Sequence, residues 1–244
     1  MNLSGNTILI TGGTSGIGLA FAEQFLLQGS NVIICGRRTE RLEQIKQKYT
    51  SIITKECDVA DSSQREELAN WVINNYPNVN LLMNNAGVQL ATDLTKPLEL
   101  ARLQSEIDIN FLAPVHLASL FVSHLSTKPS AAIINISSGL AFVPIAFMPI
   151  YCATKAAIHS LTLSLRYQLK NTSVKVFEIA PPSVDTELGH DRREDKSQSH
   201  GGLPVNEFIE EAMLALKNDL YEAPIGQSKG LRIKREELFD VMNP

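Results

Sequence analysis

"TILITGGTSGIG", residues 7–18, sets the architecture of this chain. Four aliphatic or β-branched residues run straight into a turn containing Gly12, Gly13, Gly16 and Gly18. Apolar residues at consecutive positions over so short a run predict a strand covered on both faces. Ile17, Phe21 and Phe25 then recur at helical spacing, which predicts a helix over 17–28. A strand, a glycine turn and a helix in that order crowd backbone amides around an anion, and the helix N-terminus attracts it. Phosphate binding is therefore expected at Gly12, Thr14, Ser15, Gly16, Ile17 and Gly18. The spacing is Gly12-x3-Gly16-x-Gly18 rather than G-x-G-x-x-G, so the flanking strand and helix carry this reading more than the glycines do.

The same alternation continues along the chain. Short apolar runs at 7–10, 31–35, 51–54, 80–84, 131–136 and 174–180 read as buried strands, with "YEAPIG" at 221–226 as a further one. Helix-length stretches lie between them, including 39–48, 62–75, 105–125 and 156–169, where Leu161, Leu165 and Leu169 share a face. Strands alternating with helices imply right-handed crossovers and a doubly wound parallel α/β sheet of Rossmann type, with helices on both faces. Two stretches interrupt the pattern. "SSGLAFVPIAFMPI" (137–150) is an apolar loop punctuated by Gly and Pro, and "ELGHDRREDKSQSHGGLP" (187–204) is a polar insertion that reads either as a solvated loop or as a mobile lid over a site. Both follow the C-terminal ends of strands, where open α/β sheets bind ligands.

With 244 residues, 44% of them apolar, the chain suits one domain with a sizeable core. A net charge of −4 with mixed signs gives no basic footprint for nucleic acid. No apolar run approaches the ~20 residues needed to span a bilayer, and the first residues lack the pattern of a secretory signal. Cys35, Cys57 and Cys152 are odd in number and lack C-x-x-C spacing, so they are expected as reduced thiols in a cytoplasmic protein. Histidines 116, 124, 159, 190 and 200 show no i, i+4 pairing, and no metal site is expected.

Cofactor choice is read at the end of the second strand. Where an NAD site places a carboxylate on the ribose, about 20 residues past the glycine turn, this chain has Gly36 followed by Arg37 and Arg38. Guanidinium forks there suit the extra 2′-phosphate of NADP(H), with NAD(H) as the alternative.

"TGGTSGIG" (11–18), "NNAG" (84–87), Asn110, Ser138 and "YCATK" (151–155), in that order, resemble the short-chain dehydrogenase/reductase superfamily in its single-domain branch. "APPSVDTEL" (180–188) is similar to the DltE-type oxidoreductases within it. The resemblance implies that Tyr151 exchanges a proton with the substrate oxygen. It implies that Lys155 holds the nicotinamide ribose and lowers the tyrosine's pKa, and that Ser138 hydrogen-bonds the substrate. Asn110 would connect Lys155 to a proton-carrying water. Asp58 and Val59 would meet the adenine edge, Asn85, Ala86 and Gly87 would line the adenosine side, and Pro181, Val184 and Thr186 would contact the carboxamide end. One departure is Pro182, which stands where the family usually has glycine and so removes an amide donor.

Elementary electrostatics supports the pair. Tyr151 and Lys155 are one helical turn apart. A phenol useful near neutrality needs its pKa lowered by about three units, or about 4 kcal/mol. A charge at about 4 Å supplies only about 1 kcal/mol in water but about 4 kcal/mol at the effective dielectric of a partly dry site. The lysine suffices only in a dry cleft. The reading is reversible hydride transfer between NADP(H) and a carbonyl or alcohol, against the alternative of an NADP(H)-binding sensor or scaffold without turnover. The stretch 107–125 is apolar on more than one face, and with the resemblance it implies a homodimer or homotetramer.

Overall fold

Alternate residues of the first strand part to opposite sides. In β1 (Thr7–Thr11), Ile8 and Ile10 enter one apolar core and Leu9 enters another. The computed structural model describes residues 1–189 and 201–244, and the same division holds for β2 (Asn31–Gly36), where Val32 and Ile34 oppose Ile33 and Cys35. A strand with no polar face must be covered on both sides, and the helices supply the cover.

The chain runs β1, α1 (Gly16–Leu27), β2, α2 (Thr39–Lys48), β3 (Ile52–Glu56), α3 (Ser62–Asn75) and β4 (Leu81–Asn84). It continues with α4 (Leu100–Ile107), a π-helical turn (Asp108–Leu112), α5 (Ala113–Leu125), β5 (Ala131–Ile136), α6 (Pro149–Gln168) and β6 (Val174–Ala180). It ends with α7 (Val205–Lys217), β7 (Glu222–Pro224), α8 (Ser228–Lys234) and the short α9 (Phe239–Met242). The strands form one sheet in the order β3-β2-β1-β4-β5-β6-β7, and every pairing is parallel. Phe21 and Phe25 of α1 share a core with Phe208 and Leu216 of α7, and Leu68 and Val72 of α3 share the other with Leu117 and Phe121 of α5. The chain winds one way from β1 to β3 and the other way from β4 to β7, so a crevice opens between β1 and β4 at their C-terminal ends.

Differences from the sequence reading are local. The last strand is Glu222–Pro224, inside the expected 221–226. The helix expected from residue 156 begins at Pro149, because a proline at the first helical turn loses no hydrogen bond. Its buried residues are Tyr151, Cys152, Thr154, Lys155, Ile158 and Thr162, while Leu161 and Leu165 are only partly buried. The helix expected at 105–125 is interrupted by the π turn. Pro114 has no N–H to offer the carbonyl of Asn110 four residues earlier, so the ordinary helical bond cannot form there. Of the 187–204 insertion, read as either a solvated loop or a mobile lid, residues 190–200 lie outside the described residues. Its base is pinned where Asp185 N–H donates to the Leu203 carbonyl (2.9 Å) and Leu203 N–H to the Ser183 carbonyl (2.8 Å). Among the described residues no helix is long and apolar enough to cross a membrane.

Candidate active site

Gly12 and Gly16 adopt φ of 66° and 54°, the left-handed region that glycine enters without a Cβ penalty. A Cβ on Gly18 would stand 2.4 Å from both the Gly12 carbonyl oxygen and Asn85 Nδ2, so the helix start is packed directly on the strand end. Ser15, the N-cap of α1, makes no side-chain cap bond; its hydroxyl accepts from Arg38 Nη2 at 2.7 Å instead. The first turn of α1 therefore opens on the crevice without a side-chain cap.

A cavity of about 1010 Å³ runs along these strand ends, at the upper end of the ~300–1,000 Å³ of small-molecule sites. Its wall includes Gly12, Thr14, Ser15, Gly16, Ile17, Gly18, Arg37 and Arg38 at one end. Val59, Asn85, Ala86, Gly87, Ser138, Tyr151, Lys155, Pro181, Val184 and Thr186 also line it. Asn85 is fixed by Thr11: the Asn85 and Ala86 amides donate to Thr11 Oγ1 (3.1 and 3.0 Å), and Asn85 Nδ2 donates to the Thr11 carbonyl (2.9 Å).

Asp58 and Asn110 do not line the cavity themselves. The Asp58 carboxylate turns back to accept from Ala60 N–H at 3.0 Å and lies 3.8 Å from Arg37, leaving Val59 to face the cavity. Asn110 is 1% exposed. Its amide clamps the loop after β4, accepting from Val88 N–H at 2.8 Å and donating to the Val88 carbonyl at 2.9 Å and Thr154 Oγ1 at 3.2 Å. Both Asn110 and Lys155 flank Gly87: a Cβ there would lie 3.4 Å from Asn110 Oδ1 and 3.7 Å from Lys155 Nζ.

Tyr151 and Lys155 are each 5% exposed. They occupy the same face of α6, with Lys155 Nζ 5.7 Å from the centre of the Tyr151 ring. The ammonium donates to the Ile136 carbonyl at the end of β5, 2.8 Å away. Burial pushes its pKa down to about 8, and the carboxylate of Glu178 opposes that fall. Ser138, also at the end of β5, uses its Oγ to accept from Leu140 N–H at 3.1 Å, which holds it at the mouth of a short 3-10 turn.

Several features lie beyond the sequence reading. The C-terminal segment packs on the apolar loop: Leu231, Leu238 and Met242 meet Phe142 and Val143, and Leu231 and Met242 join Leu140, Phe147 and Met148 in the cavity wall. A transverse polar row, Asn84, Asn135, Glu178 and Glu222, runs in register across β4 to β7. Glu178 is wholly buried, with Oε2 bonded to His159 Nδ1 at 2.8 Å and Oε1 without a partner among the described residues. Glu222 binds Arg232 with both oxygens. His159, Glu178 and Glu222 offer ligand atoms within 4.8 Å of one another, a grouping that sequence spacing did not reveal because it spans α6, β6 and β7. His159 and Arg232 already stand against the two carboxylates, so the group is linked by side-chain contacts. The signal for it was present in Glu178, a lone acid set among apolar residues in the second half of its strand.

Residues 6–197 match the family model described as short chain dehydrogenase. The chain is 47% identical to the uncharacterized oxidoreductase DltE of Bacillus subtilis (strain 168), over 100% of this chain and 98% of that protein. It is 29% identical to the NADP-dependent 3-hydroxy acid dehydrogenase YdfG of Escherichia coli (strain K12), over 94% and 99% of the two chains. A crystallised short chain dehydrogenase/reductase from Burkholderia phymatum, in complex with NAD, superposes with a TM-score of 0.84 at 21% identity, covering 100% of this chain and 97% of that one.

Proposed function

The chain belongs to the short-chain dehydrogenase family, and from that premise we propose that it reduces a carbonyl to an alcohol, reversibly, with NADP(H) and with Tyr151 as the acid/base. The observation that carries this reading is the Tyr151–Lys155 pair, buried on one helical face in the cavity onto which the uncapped start of α1 opens. In the reducing direction the substrate oxygen takes the Tyr151 proton while its carbon takes the hydride; oxidation returns both. The nicotinamide nucleotide, when bound, supplies or accepts that hydride.

The chain's own residues do the rest. The glycine turn and the first amides of α1 hold the diphosphate, Arg37 and Arg38 favour a 2′-phosphate, and Asn85 to Gly87 flank the adenosine. Pro181, Val184 and Thr186 would contact the carboxamide end of the cofactor. Ser138 donates to the substrate oxygen. Lys155 binds the ribose, and its charge beside the phenol favours the proton transfer that general acid catalysis requires. A water near Asn110 resupplies the proton.

Leu140, Phe147, Met148, Leu231 and Met242 make the substrate end apolar, so small carbonyl compounds with an apolar side are the first class to offer. The name of the E. coli relative adds 3-hydroxy acids and their keto forms. We further propose self-association through α5 and α6, as a homodimer or homotetramer, and a reducing cytoplasmic setting for the three buried free thiols. Following NADPH consumption across a panel of aldehydes, ketones and 3-keto acids tests the activity. Turnover with at least one substrate is expected, whereas binding of NADP(H) with none turned over would favour the sensor reading.

A further inference from the structure

The acid that an NAD site carries at the end of its second strand is absent here, but a carboxylate reaches the same place from the opposite lip of the crevice. Glu187, next to Thr186 in the loop that follows β6, places Oε2 2.8 Å from Arg38 Nη1 and Oε1 2.9 Å from Arg41 Nη2. Arg38 Nη2 meanwhile donates to Thr14 Oγ1 at 3.0 Å and to Ser15 Oγ at 2.7 Å, beside the glycine turn. One carboxylate thus bridges two guanidinium groups in the way a phosphate would. The arginine pair brackets the spot where the sequence places the 2′-phosphate, and Arg41, one turn into α2, extends that subsite beyond Arg37 and Arg38.

Resting on the NADP(H) reading above, we propose that Glu187 is the resident anion of the 2′-phosphate subsite formed by Arg38 and Arg41, and so sets how strongly the chain discriminates NADP(H) from NAD(H). An incoming phosphate must displace the carboxylate, since two anions on the same guanidinium pair repel. A ribose carrying a free 2′-hydroxyl has no such conflict and can donate to the carboxylate. Glu187 therefore weakens NADP(H) and leaves NAD(H) untouched or helped. Its carboxyl is held below the usual range by its hydrogen bond to Arg38 and by the charges of both arginines, so it is anionic at neutral pH. Glu187 and its two partners are all between a third and a half exposed, so the carboxylate is free to swing away.

Titrating NADP+, NAD+, and the fragments 2′,5′-ADP and 5′-AMP calorimetrically into the parent and Glu187→Gln tests this without reference to turnover. The amide keeps the shape and loses the charge. The dissociation constants of NADP+ and 2′,5′-ADP should fall roughly tenfold, which is about 1.4 kcal/mol, while those of NAD+ and 5′-AMP stay within about twofold or rise. Arg41→Ala should weaken only the two 2′-phosphorylated ligands. If the parent binds NADP+ but Glu187→Gln binds it equally or more weakly, Glu187 merely organises the arginines and the inference fails. A parent that binds neither dinucleotide removes the cofactor reading itself, and this inference with it.

Discussion

Lys155 bears opposing demands. Its ammonium must be cationic to act on Tyr151, yet burial drives its pKa from an ordinary 10.5 down to about 8, with only Glu178 pulling the other way. Between those two values the unfolded chain holds a proton that the folded chain has shed, so stability contributed by this group rises with pH across that window. Below pH 8 both states are protonated and the full desolvation cost is felt; above 10.5 neither is, and the cost vanishes. The difference is about 3 kcal/mol at 1.36 per pKa unit. Chemical unfolding of the cofactor-free parent and of Lys155→Met, compared from pH 7.5 to 10.5, should show the parent gaining on the variant by about that amount. Parallel curves would place the lysine in contact with water. Glu178 acts in the same balance, through a charge that His159 and Arg232 also share.

At the scale of elements, much was legible because periodicity reports burial directly. The runs at 7–10, 31–35 and 131–136 are strands whose residues are buried apart from Asn31 at the start of the second, since their apolar residues leave no alternating polar face. The helix at 62–75 was equally plain, and Asp61 caps it by accepting from Ser63 and Gln64 N–H at 2.8 and 3.2 Å. What escaped were features made by distant residues. Nothing local shows that Glu187 will meet Arg38 across 149 positions, that Leu231 and Met242 will face the cavity, or that Asp58 will turn back onto Ala60. Elements also leave apolar surface uncovered. Leu112 in the π turn and Leu163 and Tyr167 on α6 are 40%, 45% and 69% exposed, and α6 packs against that turn. Such surface on adjoining elements suits a second copy of the chain. Sedimentation at micromolar concentration should show a dimer or tetramer that Tyr167→Glu with Leu163→Glu dissociates, while a parent that stays monomeric would remove the proposed self-association.

Across the whole molecule, chemistry gathers where the winding reverses. The glycine turn after β1, Asn85 to Gly87 after β4, Ser138 after β5 and Pro181 after β6 arrive at one cavity because parallel strands all end on the same edge. α6 then lays Tyr151 and Lys155 along it, and the C-terminal segment closes the apolar side. The most direct measurement of the proposed chemistry compares the parent with Tyr151→Phe, with turnover followed by NADPH consumption on any accepted carbonyl and NADP+ affinity measured calorimetrically. Removal of one hydroxyl should lower kcat by at least about 100-fold, in the range typical of general acid catalysis, with NADP+ affinity changed less than about threefold. Turnover within a few-fold of the parent at unchanged affinity would contradict the assignment of Tyr151 as the proton donor.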